Sequence, residues 1–95
     1  MELLQLKYFL AVAESEHMTN TAKQLHIAQP ALSQSIHRLE QELGVSLFTR
    51  TGKGVTLTAD GDEFLTSARP ILMQYDTLMD HYAEPGARKI KFGVS

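Results

Sequence analysis

The chain has 95 residues and a mass of 10.6 kDa, with 43% hydrophobic, 7% aromatic and 21% charged residues, a composition that suits one compact core and leaves little room for a large catalytic cleft. It has no cysteine, which excludes disulfides, thiolate metal sites and cysteine nucleophiles and fits a reducing cytoplasm. The formal net charge of -2 is unevenly spread: residues 1–58 are balanced, whereas residues 59–83 hold Arg69 against Asp60, Asp62, Glu63, Asp76 and Asp80.

In chain order, Leu6, Phe9, Leu10 and Ala13 recur at helical spacing and predict an amphipathic helix over residues 3 to 15. Ser15-Glu16-His17-Met18 breaks it. Thr19 is an acceptable N-cap for a short second helix that ends near His26, with Ala22 and Leu25 on one face. Pro30 suits the first turn of a third helix, residues 29 to 43, where Leu32, Ile36, Leu39 and Leu43 form one stripe and Gly44 supplies a left-handed cap. The opposite side of that helix carries Pro30, Ser33, Gln34, His37, Arg38 and Gln41.

Leu47-Phe48-Thr49-Arg50 and Val55-Thr56-Leu57-Thr58 flank Thr51-Gly52-Lys53-Gly54 and predict a β-hairpin whose glycines allow positive φ. Thr58 then caps a long helix with Asp60, Asp62 and Glu63 in its first turns. Its stripe of Phe64, Leu65, Ala68, Ile71, Leu72, Tyr75, Leu78, Met79 and Tyr82 steps by threes and fours, more apolar surface than residues 1–58 could cover, and predicts dimerisation through this helix. Pro70 within it predicts a kink. Glu84-Pro85-Gly86-Ala87 ends the helix, and Ile90, Phe92 and Val94 alternate like the first strand of a further domain.

The longest apolar run, Tyr8 to Ala13, is far short of the roughly 20 residues that span a bilayer. The opening residues also lack the pattern of a secretory signal, so no membrane partner and a cytoplasmic location are expected. Acids are absent from two windows: His17 to Leu39, which carries Lys23, Arg38, His17, His26 and His37, and Leu43 to Ala59, which carries Arg50 and Lys53. Both could approach a polyanion.

Two short helices joined by His26-Ile27-Ala28 describe a helix-turn-helix, and the hairpin after it a wing. Short polar side chains near the start of a recognition helix can reach base edges in a major groove about 12 Å wide, and Gln29, Ser33 and Gln34 have that character. Thr19, Lys23, His37, Arg38 and Arg50 would lie nearer phosphates, and Lys53 at the wing tip could reach phosphate or the minor groove. Polar letters opposite an apolar stripe are also what any solvated helix presents, and a protein-interaction module that uses the long helix as its binding surface is the alternative. The histidines lack metal-ligand spacing, and the Ser, His and Asp letters form no catalytic set, so neither a metal nor an enzyme is expected.

These residues resemble the LysR-type transcriptional regulators of bacteria. Leu6-Lys7-Tyr8-Phe9-Leu10-Ala11-Val12-Ala13-Glu14 is similar to the family's first helix, and Ala22 to Leu25 to its second. Ala28-Gln29-Pro30-Ala31-Leu32-Ser33-Gln34-Ser35-Ile36 with Leu39-Glu40 and Leu43-Gly44 resembles its recognition helix. Leu47-Phe48-Thr49-Arg50 followed by Leu57-Thr58-Ala59-Asp60-Gly61 resembles the wing and the start of the linker helix. Ala28 stands where the family often has serine, and Gln34 where many members carry arginine, which shifts the expected preference from guanine towards adenine.

The resemblance implies a mainly α, winged helix-turn-helix fold over residues 1–58, with the helix-turn-helix at about 18–37 and the wing at about 47–58. A linker and dimerisation helix over 59–83 and a hinge with the first strand of an absent effector-binding domain over 84–95 would follow. It further implies double-stranded DNA as partner, bound as a homodimer on an imperfect palindrome, with higher oligomers in the full-length protein. Base contacts would fall to Gln29, Pro30, Ser33 and Gln34, and backbone or groove contacts to Arg50 and Lys53. No cofactor is expected in this chain, and a small-molecule inducer would bind the effector domain.

Overall fold

The computed structural model describes residues 1–83, which form four helices and one hairpin; the hinge and strand expected over 84–95 lie outside the described residues. Helix α1 (Leu3–Ser15) is apolar on most of its sides and stands at the centre of the fold. Phe9 and Val12 are fully buried towards the other helices, and Leu6 turns to a second cluster with Ala68 and Leu72. The expected stripe is therefore shifted: Val12 takes a core place, whereas Leu10 and Ala13 are half-buried. With apolar letters on nearly every side, helical period alone does not choose the face. The helix ends at Glu16, a non-glycine residue at φ 61° whose N–H donates to Val12 O at 2.8 Å.

Helix α2 (Met18–Gln24) starts one residue before Thr19, so Thr19 is an exposed first-turn residue and not the N-cap. The role passes to His17, which makes no side-chain cap; beside it Ser15 and Thr21 share a hydroxyl hydrogen bond, and the Ser15 hydroxyl also accepts the His17 N–H at 3.1 Å. Thr21 is thereby fully buried with its polarity satisfied. The helix closes at Leu25, and His26 at φ 59° turns the chain into α3.

Helix α3 (Gln29–Leu43) buries Leu32, Ile36 and Leu39, has Pro30 in its first turn and ends at Gly44 with φ 75°. Strands β1 (Phe48–Arg50) and β2 (Val55–Leu57) pair antiparallel with Phe48 opposite Leu57 and Arg50 opposite Val55. The hairpin glycines do not use positive φ, contrary to expectation. Gly54 is instead required for space, since a Cβ there would collide with the carbonyl of Glu16. Two strands are marginal alone. Here Val55 and Leu47 are buried in the core, and the Val55 N–H donates to Glu16 O at 3.0 Å.

Helix α4 (Ala59–Ala83) is capped by Thr58, whose hydroxyl accepts the Gly61 N–H at 2.9 Å. Gly61 lies against the carbonyl of Leu47, which leaves no room for a side chain. The helix runs without interruption through Pro70, which stands inside it. Pro70 is exposed, and lacking an N–H it gives the carbonyl one turn before it no helical donor. Phe64 meets Phe9 edge-on at 5.1 Å, Ala68 and Leu72 pack on Leu6, and the Lys7 ammonium lies 4.8 Å from the centre of the Tyr75 ring.

Candidate nucleic-acid interface

The polar face of α3, the start of α2 and the wing converge on two adjoining grooves. The larger, about 410 Å³, is lined by Ser33, Gln34, His37 and Glu40 of α3, by Arg50 and Phe48 of β1, and by Met18. The smaller, about 210 Å³, is lined by Gln29, by His17, Thr19 and Asn20 at the start of α2, and by Arg50 and Lys53 of the wing. Arg50 borders both, so parts of the two acid-free windows of the sequence meet on one surface.

Local chemistry positions these side chains. Gln29 and Ser33 lie one turn apart, and the Gln29 amide donates to the Ser33 hydroxyl at 2.7 Å. The Ser33 hydroxyl is then free to donate outward. Gln34 and His37 are exposed and make no side-chain hydrogen bond among the described residues. In the wing, the Thr51 hydroxyl accepts the N–H groups of Lys53 and Gly54 at 3.3 and 2.9 Å, and the Thr51 N–H donates to Gly54 O at 2.7 Å. This closes the tip with Lys53 exposed. Lys23, Arg38, Arg50 and Lys53 are all exposed, and the only ion pairs among the described residues, Met1 with Glu42 and Arg69 with Glu14, leave them free.

Three expected contact residues lie off the two grooves. Arg38 borders a separate groove with Ser35, Glu2 and Glu42. Lys23 is exposed on α2, and Pro30 is exposed at the start of α3. Sequence reasoning named His17 only as part of an acid-free window and missed Asn20, and both line the smaller groove. It also missed Glu40 as part of the site, whose Oε2 accepts the N–H groups of Leu47 and Phe48 at 2.7 and 3.2 Å. Glu40 is part of the resembling motif, but no spacing rule announces a bond to residues seven and eight positions on.

The expected dimer stripe divides in two. Ala68 and Leu72 are buried against α1, and Phe64 and Leu65 are half-buried against the main core, so these four serve packing within the chain. Tyr75 is half-buried, whereas Ile71, Leu78, Met79 and Tyr82 are about half-exposed or more, at 50%, 55%, 48% and 58%. Among the described residues no three His, Asp or Glu side chains gather to hold a metal, and no helix is long and apolar enough to cross a membrane.

A winged helix-turn-helix carrying unpaired cations on the recognition side is the architecture of a DNA-binding domain. Residues 3–62 match the family described as bacterial regulatory helix-turn-helix protein, lysR family, and the chain belongs to that family as its DNA-binding domain. It is 53% identical over 72 residues to the transcriptional regulator ClcR of Pseudomonas putida, covering 76% of this chain and 24% of that protein. It is 43% identical to the uncharacterized regulator YnfL of Escherichia coli (strain K12), covering 100% of this chain and 34% of that one. The chain thus spans about a quarter to a third of the length of these relatives. Among solved structures, the DNA-binding domain of CbnR in complex with DNA is similar with a TM-score of 0.79 at 44% identity, covering 87% of this chain and 95% of that one. The DNA-binding domain of BenM on catB site 1 DNA gives 0.82 at 38%, covering 92% and 98%. The relatives are named as transcriptional regulators, not enzymes.

Proposed function

We propose that this chain reads double-stranded DNA in a sequence-specific manner, as a dimer on an imperfect palindrome, for a ligand-responsive transcription regulator. The observation that carries the reading is the single surface on which the polar start of α3 meets the free cations of the wing. Similar domains, of CbnR and BenM, were solved on DNA. In this assignment Gln29, Pro30, Ser33 and Gln34 meet base edges, and Arg50 and Lys53 meet phosphate or the adjacent minor groove. Thr19 and His37 border the same grooves and make supporting backbone contacts, while Lys23 and Arg38, exposed outside the two grooves, reach further phosphates. Ile71, Leu78, Met79 and Tyr82 supply the dimer contact. Two copies would place α3 in successive major grooves roughly 34 Å apart. The greater length of the relatives supports a separate effector domain, beyond residue 83, that takes the small-molecule inducer.

The test is selection from a pool of fluorescent duplexes bearing AT-rich inverted repeats, titrated at two salt concentrations. Enrichment of a palindrome with affinity falling steeply as salt rises is expected. Binding without enrichment removes the sequence-reading role, and salt-independent behaviour with no enrichment removes DNA as the partner in favour of a protein-interaction module.

A further inference from the structure

We propose that Glu40 is a positioning residue for DNA recognition: its carboxylate ties the recognition helix to the wing and so sets the distance between the base-reading face of α3 and the wing cations. The inference rests on the DNA-binding reading above. Positions 33, 37 and 40 share the side of α3 that faces the wing, and Glu40 is the one acid lining the larger groove. A carboxylate pointed at a polyanion opposes binding unless donors occupy it. Here Oε2 is occupied by the Leu47 and Phe48 N–H groups at 2.7 and 3.2 Å, charge-assisted bonds that turn the acid inward.

Leu47 is fully buried and Phe48 opens β1, two residues before Arg50. The other end of the hairpin is held by the Val55 N–H on Glu16 O, at the α1–α2 turn, and by the Thr58 N–H on Leu47 O, both at 3.0 Å. Among the described residues, the Glu40 bonds are the hydrogen bonds that join α3 itself to the wing. Without them β1 keeps its pairing with β2 and its apolar packing but loses its register against α3.

The experiment uses three Glu40 variants, alone and in an Arg50→Ala, Lys53→Ala background, read by amide exchange and by DNA titration with circular dichroism as a control. In the free protein, amide exchange at Leu47 and Phe48 reports the clamp without DNA. Glu40→Gln, which retains an acceptor oxygen, is expected to keep both amides protected, whereas Glu40→Ala and the shorter Glu40→Asp accelerate their exchange with helix content unchanged by circular dichroism. On a fluorescein-labelled duplex pool, Glu40→Gln keeps the salt dependence of the unaltered protein. Glu40→Ala and Glu40→Asp reduce the slope of log affinity against log salt by about 1.8, the equivalent of two lost phosphate contacts. Added to an Arg50→Ala, Lys53→Ala background, they weaken binding no further.

Equal losses in both backgrounds, an unchanged slope in Glu40→Asp, or protected amides in Glu40→Ala would overturn the proposal. Failure of the unaltered protein to bind any duplex at low salt refutes the DNA reading itself, whatever the amides do.

Discussion

Gln29 and Ser33 hold each other through a 2.7 Å hydrogen bond, whereas Gln34, one residue further, stands free on the exposed side of the same turn. The first pair is preorganised, so its members will respond to substitution together. Gln34 acts alone, with both amide functions available to the N6 and N7 edge of adenine. Lys53 differs again: an exposed cation on a turn closed by Thr51, it can supply attraction to phosphate but no bidentate pattern. Gln34→Ala is therefore expected to alter the preferred base at one position of the selected site, with a cost of about 1–3 kcal/mol confined to the preferred sequence. Lys53→Ala should weaken every duplex alike and lower the salt slope by about one. Parallel titrations of the selected site and a scrambled duplex check both, and equal losses from the two changes on both duplexes would remove the readout role of Gln34. The exposure of both side chains was legible in the sequence because it depends on residue type and local place, Gln34 on the polar side of α3 and Lys53 at the tip of a hairpin. The Gly54 contact with Glu16 and the Glu40 clamp were not, because each joins residues that only the folded chain brings together.

At the scale of elements, α3 was the most readable, since one stripe of leucine and isoleucine, a proline at its start and a glycine at its end all fall on it. Helix α4 was readable as a helix and ambiguous as a surface. Its threes and fours announce an apolar face, but period does not say whether the face meets the same chain or a second copy. The structure gives Ala68 and Leu72 in the first half to α1, and leaves Ile71 and, in the second half, Leu78, Met79 and Tyr82 open. The two halves should respond differently to mutation. Leu72→Ala removes a side chain that is 2% exposed and is expected to cost about 2–5 kcal/mol of fold stability. For a domain of this size that lowers the melting temperature by about 4–8 °C per kcal/mol. Leu78→Lys alters a side chain that is 55% exposed, and should leave the melting of the isolated fold nearly unchanged while shifting the chain from dimer to monomer. Thermal unfolding at low concentration and analytical ultracentrifugation separate the two effects. A Leu78→Lys variant that sediments as the unaltered protein does would remove that end of α4 from the dimer contact.

At the scale of the whole molecule, the two ends have opposite character. The free cations Arg50 and Lys53 gather on the wing, while Asp76 and Asp80 lie towards the far end of α4 in a body 50 Å long. At physiological salt, charges further apart than about 8 Å are largely screened from one another. The net charge of -2 thus says little about the face presented to DNA. Stability follows a different division from charge. The sequence suggests a boundary after Thr58, where composition turns acidic, but packing ignores it. Phe64 lies edge-on to Phe9, Gly61 sits against Leu47, and Ala68 and Leu72 cover Leu6. A chain of about 60 residues buries only about 60% of its unfolded surface, which leaves it marginal even with its core complete. Residues 1–58 alone would also expose Leu6 and one edge of Phe9, which are 4% and 0% exposed in the full fold. We therefore expect a 1–58 fragment to show no cooperative thermal transition by circular dichroism, whereas 1–83 melts in a single step. A cooperative transition with native helix content in the shorter fragment would show that α4 is an appendage to the DNA-binding fold and not, as its contacts imply, one wall of it.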